Sequence, residues 1–259
     1  MPMHASYTAN STENLATITD SAGASAIAVM PNGIMPGTAV GRAMADLSAA
    51  TESFIGVVQR NAAQLLPAVL TAAIRTSAAS TLGKPFRSLT VAGQNETQAQ
   101  SAALVRATAV DPATPANAAL RQRALDLYSR AQSAAERMSL INNFSYEQLA
   151  GLIAAGIQNE LPDDRKEMLL HRYQVLRFVE TAGIQSDYSL KPTVENPTAT
   201  GPDVDAAIRA AETATDKFET RKDDLAAIDT ALQSTARLVA LACKMSIADA
   251  YNMLSGQQQ

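Results

Sequence analysis

Between Thr38 and Leu65, apolar and small residues recur at alternating spacings of four and three: Val40, Met44, Leu47, Thr51, Phe54, Val58, Asn61 and Leu65. A repeat averaging 3.5 residues keeps one helix face against a neighbour, so this stripe predicts a long helix built to press on another helix. The spacing returns at Leu120, Ala124, Leu127, Ala131, Ala134, Met138 and Ile141. Asn61 is the polar exception. In a helix seam a single Asn fixes register and partner number, or it marks where the stripe turns to solvent ahead of Pro67.

Punctuation between the stripes sets the other expected elements. The first dozen residues, rich in Ser, Thr and Asn, read as a flexible tail. A short helix is expected from Asp20 to before Pro31, then a turn at Asn32-Gly33. The long helix should begin at Pro36 or Thr38 and run to Leu66, where Pro67 kinks it or opens the next. Its apolar face continues to Ser80, and Gly83-Lys84-Pro85 should stop it. Residues 83–96 then read as a loop, with Leu89–Ala92 extended. Helices follow over Glu96–Val110 and Ala116–Asn142, and another opens after Ser145, whose Gln148 completes a capping box. The next runs from Pro162 or Asp163 to Gly183. Pro192, Pro197, Gly201 and Pro202 make residues 185–202 the best linker, followed by a helical span over Asp203–Leu254 and a disordered tail from Gly256.

The predicted fold class is all-α, in extended helical hairpins or a helical bundle with long Ala-rich amphipathic helices. Three regions are expected: 1–82, a Ser/Thr-rich tail and long helix; 97–184, a helical bundle; and 203–254, a long C-terminal hairpin. Composition changes what those helices can do. Hydrophobic residues make up 47% of the 259, but alanine is by far the commonest of them; aromatics reach only 4% and Trp is absent. Alanine combines high helix propensity with little burial energy, so such helices need length, neighbours or a partner. Further copies of the chain or related helical subunits are therefore the expected partners.

Charge and chemistry narrow the reading by exclusion. A net charge of −4 gives no global attraction to nucleic acid. The best basic patch, Arg121, Arg123, Arg130 and Arg137, lacks aromatics on its line and reads as charge flanking the second stripe. Residues 21–41 carry no charge but are interrupted by Pro31, Gly33, Pro36 and Gly37, so no transmembrane helix is expected, with surface association as the remaining membrane option. A secretory leader is not apparent. The single Cys243 reads as a small buried hydrophobe, and the two histidines, His4 and His171, make no metal motif. Nucleophile elbows, phosphate loops and paired catalytic carboxylates are missing, so no catalytic, cofactor or metal residues are expected and the chain reads as a non-enzyme.

One stretch carries a family resemblance. Ile18-Thr19-Asp20 is followed by Pro36, then Ala39-x-Gly41, then an Ala-rich helix ending in Gln59, Asn61 and Gln64. In order and approximate spacing this resembles the R-body (refractile body) structural proteins, the RebB-like "killing trait" family, over roughly residues 14–75. The closing Gln run is diluted by Arg60, Ala62 and Ala63, and residues 97–259 have no counterpart in the family, whose members are typically shorter. The resemblance implies a cytoplasmic subunit of a proteinaceous ribbon that rolls up inside a bacterial cell and extends when conditions such as pH change, with a link to toxicity toward a eukaryotic host. The C-terminal helices would be an added assembly or accessory domain.

The functional expectation is a non-enzymatic structural protein that self-associates through Val40, Met44, Leu47, Thr51, Phe54, Val58, Asn61, Leu65, Leu120, Leu127, Met138 and Ile141, in the form of an R-body-like cytoplasmic subunit. Two alternatives remain: a bacterial effector or translocator exported without a cleaved signal, and a phasin-like protein coating a granule surface.

Overall fold

The computed structural model describes residues 3–181 and 188–257. The expected helix stop at Gly183, the start of the 185–202 linker and the end of the C-terminal tail lie outside the described residues.

The N-terminus departs from the all-α expectation. Three strands, β1 (His4–Ala9), β2 (Glu13–Thr19) and β3 (Ser25–Pro31), form an antiparallel meander in the order β1-β2-β3. The chain is therefore mostly helical with an N-terminal sheet. The cause lies in period and turn chemistry. Ala26, Ala28 and Met30 alternate with Ile27 and Val29, a period of two with β-branched residues on one side, where the expected short helix had presumed 3.6. Both turns are closed by an Asx side chain. Asn10 Oδ1 accepts from the backbone of Thr12 and Glu13, and Asp20 Oδ1 from Ala22 and Ala24. The polar "tail" is thus the first strand and its turn.

Helix α1 (Ala39–Gln64) starts where expected, with the Thr38 hydroxyl accepting from Gly41 N–H at 3.1 Å. Helix α2 (Pro67–Thr108) begins at Pro67 but passes straight through Gly83-Lys84-Pro85 and the expected 83–96 loop. An interior proline costs about 3 kcal/mol. Here Leu82, Phe86 and Leu89 stand on one face around it and are fully buried, and each buried side chain returns roughly 1.5–3 kcal/mol.

The chain divides into two compact units, Met1–Ala99 with Thr220–Gln259, and Gln100–Glu219. The first holds the sheet, α1, most of α2 and the C-terminal helical segments. Its core gathers Ile18, Met30, Leu47, Phe54, Ile74, Phe86, Leu238 and Cys243. The span expected as Asp203–Leu254 is two helices that break after Cys243 and resume at Ile247, as α7 (Val204–Cys243) and α8 (Ile247–Ser255).

The second unit contains α3 (Pro115–Arg130), α4 (Ala134–Asn143), α5 (Tyr146–Ala154), a 3-10 turn and α6 (Asp163–Thr181). The helix expected over Ala116–Asn142 is interrupted between Arg130 and Ala134, where Ser133 caps α4 by accepting from Glu136 N–H. Ser and Gln at 132–133 favour a cap over continuation, which the 3.5-residue spacing could not register. The capping box at Ser145 is present, its N–H donating to Gln148 Oε1 at 2.9 Å. Gly151 lets α5 meet α3 closely, because a Cβ there would lie 2.9 Å from the Arg121 backbone. Arg121 is buried and donates to Glu147 at 2.7 Å and to the Asp111 carbonyl at 2.8 Å. Tyr173 stacks on Tyr146 and donates to the Ala109 carbonyl.

Candidate association surface

Helix α1 lies on one face of the sheet. In the antiparallel register, Ala5, Ala16, Ala28, Ile18 and Met30 share that face and are buried. Against them stand Val40, Met44, Leu47, Thr51, Phe54 and Val58, all buried in the same core; Asn61 and Leu65 are half-buried on the last turn. The first stripe is thus occupied by this chain's own sheet and helices. The second stripe is split. Ile141 is buried and Met138 partly so, whereas Leu120 and Leu127 are 39% and 38% exposed, and Tyr128, Phe144, Leu149 and Tyr173 fill the core in their place.

The opposite sheet face is uncovered within this unit. Leu15 and Thr17 of β2 pair with Val29 and Ile27 of β3 there, beside Ser6 and Thr8 of β1; Ile27 is 51% exposed and the others are half-buried or exposed. Glu13 and His4, at strand ends, are the charged or titratable residues on it. Charged side chains normally guard an open sheet, and this face has almost none.

The sheet edges are guarded unevenly. Asn10 N–H donates to Glu13 at the hairpin, so even-numbered β1 residues bond β2 while Ala5, Tyr7 and Ala9 direct their backbone groups outward. Gln59 of α1 donates to the Ala5 carbonyl at 2.9 Å. At the far edge, Val29 N–H donates to Ser234 Oγ of α7 at 3.2 Å. Each helix therefore caps one strand edge with a side chain. Among the described residues no side chain caps the Tyr7 and Ala9 stretch.

Tyr7 and Ala9 line a cavity of about 740 Å³ between the strand ends and α1, with Asn14, Asn32, Arg42, Ser48 and Glu52. Its floor is a polar chain. Tyr7 OH and Ser48 Oγ are 3.0 Å apart; Asn14 Nδ2 donates to Ser48 at 2.8 Å and to Asn32 Oδ1 at 3.0 Å; Asn32 Nδ2 donates to the Asn10 carbonyl. Either hydroxyl can be the donor between Tyr7 and Ser48. Arg42, Ala45, Ala49 and Glu52 form an exposed α1 stripe beside it.

Gly41 belongs to the same corner. A Cβ there would lie 2.5 Å from the Met35 carbonyl oxygen and 2.8 Å from that of Ile34, so only glycine lets α1 start this close to the loop. Met35 itself has a φ of 40°, unusual for a residue with a side chain. The 36–41 stretch and Gln59, which carry the family resemblance, are thus a close helix start and an edge cap.

Reactive groups elsewhere are enclosed. Burial pushes the Cys243 thiol up to about 11, with Arg75 pulling weakly the other way. Burial, reinforced by Tyr146, raises the Tyr173 phenol well above its ordinary range. In the basic patch, Arg121 is consumed by Glu147 and Arg137 lies over the Tyr128 ring at 5.4 Å. Among the described residues no group of three or more His, Cys, Asp or Glu could hold a metal ion, and no helix is long and apolar enough to cross a membrane. The sheet and its open edge had no forecast in the helical reading; the alternation in residues 14–19 and 25–31 was the signal that could have found them. No family model, curated protein or solved structure matches the chain.

Proposed function

We propose that the chain is a non-enzymatic structural subunit that self-associates through its N-terminal sheet layer. The observation that carries this reading is the sheet itself: one face uncovered and nearly free of charge, with an uncapped edge at Tyr7 and Ala9. An isolated three-stranded sheet of this kind is a template for pairing unless something covers it. The reading keeps association as the function but moves the interface, since the stripe from Val40 to Val58 is occupied inside the chain. Its more specific form is an R-body-like ribbon subunit acting in the cytoplasm, supported by the Pro36-to-Gln64 pattern.

Sedimentation velocity and negative-stain microscopy of the full chain test it. Concentration-dependent oligomers or ordered ribbons are expected. A monomer that persists at high concentration and across pH would end the proposal.

A further inference from the structure

We infer that a second copy of the chain docks on the β1 edge and the adjoining α1 stripe, across a two-fold axis. The inference rests on the self-association proposed above and specifies its first contact.

The strand edge supplies the register. Tyr7 and Ala9 are the outward-facing β1 residues without a side-chain cap, since Ala5 already accepts from Gln59. In an antiparallel pairing with a second β1, Tyr7 faces Ala9 of the other copy and Ala9 faces its Tyr7. Each such pair exchanges both its N–H and C=O, so Tyr7 and Ala9 of the two copies satisfy one another, while the Ala5 carbonyl stays with Gln59.

The helix supplies charge complementarity. Arg42 and Glu52 stand ten residues apart on the exposed stripe, about 15 Å along α1. Their midpoint, Leu47, is next to Ser48, whose hydroxyl touches Tyr7. The two-fold that pairs the strands passes beside Thr8, and the proposed dimer has it also reverse α1 about its own charge centre. Arg42 of each copy then meets Glu52 of the other, and Ala45 meets Ala49, whose small side chains permit close approach. Arg42 borders both flanks of α1: it lines the Arg87 side together with Asp46 and the β1 side together with Glu52, and Asp46 does not line the β1 side. A two-residue strand edge alone falls short of the roughly 800 Å² per partner that stable interfaces bury, so the helix stripe has to take part. This makes the charge exchange diagnostic.

The test is a concentration series by sedimentation velocity on the full chain and four variants, with circular dichroism as the folding control. Arg42→Glu and Glu52→Arg should each weaken dimerisation roughly tenfold, because each places two like-charged pairs across the axis. Mixing the two single variants should restore association, since their heterodimer regains both opposite-charge pairs. The double variant, with Arg42→Glu and Glu52→Arg together, should dimerise like the parent. Ala9→Pro removes an outward N–H while leaving every β1–β2 bond in place, and should also weaken the dimer. If the chain self-associates but none of these variants changes it, the two-fold arrangement is wrong and the broader reading stands. A chain that never associates overturns both.

Discussion

Replacing Gly41 by alanine should destabilise the protein, although the same exchange inside a helix ordinarily helps. Ala gains up to about 1 kcal/mol over Gly in a helix interior. At Gly41 the new Cβ would meet two carbonyl oxygens at 2.5 and 2.8 Å, and these are backbone atoms of Ile34 and Met35. Ordinary contact requires that segment to retreat by roughly 1 Å. It is poorly able to do so: both residues are buried, Met35 is already at positive φ, and the Thr38 hydroxyl holds the Met35 carbonyl at 2.7 Å. Overpacking of this kind costs about 1–3 kcal/mol, leaving a net loss of about 1–2 kcal/mol and a Tm lower by roughly 2–8 °C. Gly56→Ala on the same helix is the control, because its Cβ would meet only the mobile end of Arg60 at 3.5 Å. That variant should gain about 0.5–1 kcal/mol. Thermal and urea melts followed by circular dichroism read both. If Gly41→Ala stabilises as Gly56→Ala does, the close approach of α1 to the 34–35 backbone is wrong.

Three further outcomes are expected. The Cys243 thiol is raised to about 11 in the folded protein from 9.0, so the native state holds its proton longer than the unfolded chain. The resulting stability is fully present below pH 9 and is lost as pH rises through 11, a contribution on the order of 2–3 kcal/mol. Urea midpoints measured from pH 8 to 11 should fall less steeply for Cys243→Ala than for the parent; equal slopes would refute the assignment. Glu147→Ala leaves the Arg121 guanidinium buried with only the Asp111 carbonyl, and should cost about 2 kcal/mol, discounted because Glu147 is partly exposed. An unchanged melt would show that the pair adds nothing. Gln59→Ala and Ser234→Ala each uncover a strand edge, so light scattering during mild heating should rise earlier than in the parent. No change would mean that the caps do not protect the edges.

The helical part of the fold was written plainly in local chemistry. The first long helix starts at Thr38, one of its two expected starts, Ser145 acts as the expected cap, Pro67 opens a helix, and Asp163 begins another, because helix starts depend on residues within one turn. Pro85 misled because its cost is local while the burial of Leu82, Phe86 and Leu89 that offsets it is tertiary. The sheet was harder for a different reason. Its strands are built from Ala, Ser and Thr, whose weak hydrophobic contrast hides a period of two, and polar composition looks like disorder until the Asx turns at Asn10 and Asp20 are recognised. The uncapped edge could not be seen at all without the register.

The stripe from Val40 to Val58 shows why periodicity identifies a contact face but not its partner. A heptad spacing requires only a straight, flat neighbour, and a sheet faced with Ala5, Ala16 and Ala28 is flat in the sense that matters: its side chains do not protrude. Small residues on the strands leave the volume to be filled from the helix, and Met44, Leu47, Phe54 and Val58 fill it. Leu47→Glu or Phe54→Glu would consequently bury a charge in the protein's own core and unfold this unit. The proposed association has to use what this arrangement leaves outside: the strand edge, the uncovered β face and the α1 flank beside that edge. On the flank beside the β1 edge the charged residues Arg42 and Glu52 are placed symmetrically about Leu47, a residue of the buried stripe, so one helix presents its apolar face to its own sheet and a self-complementary flank to solvent.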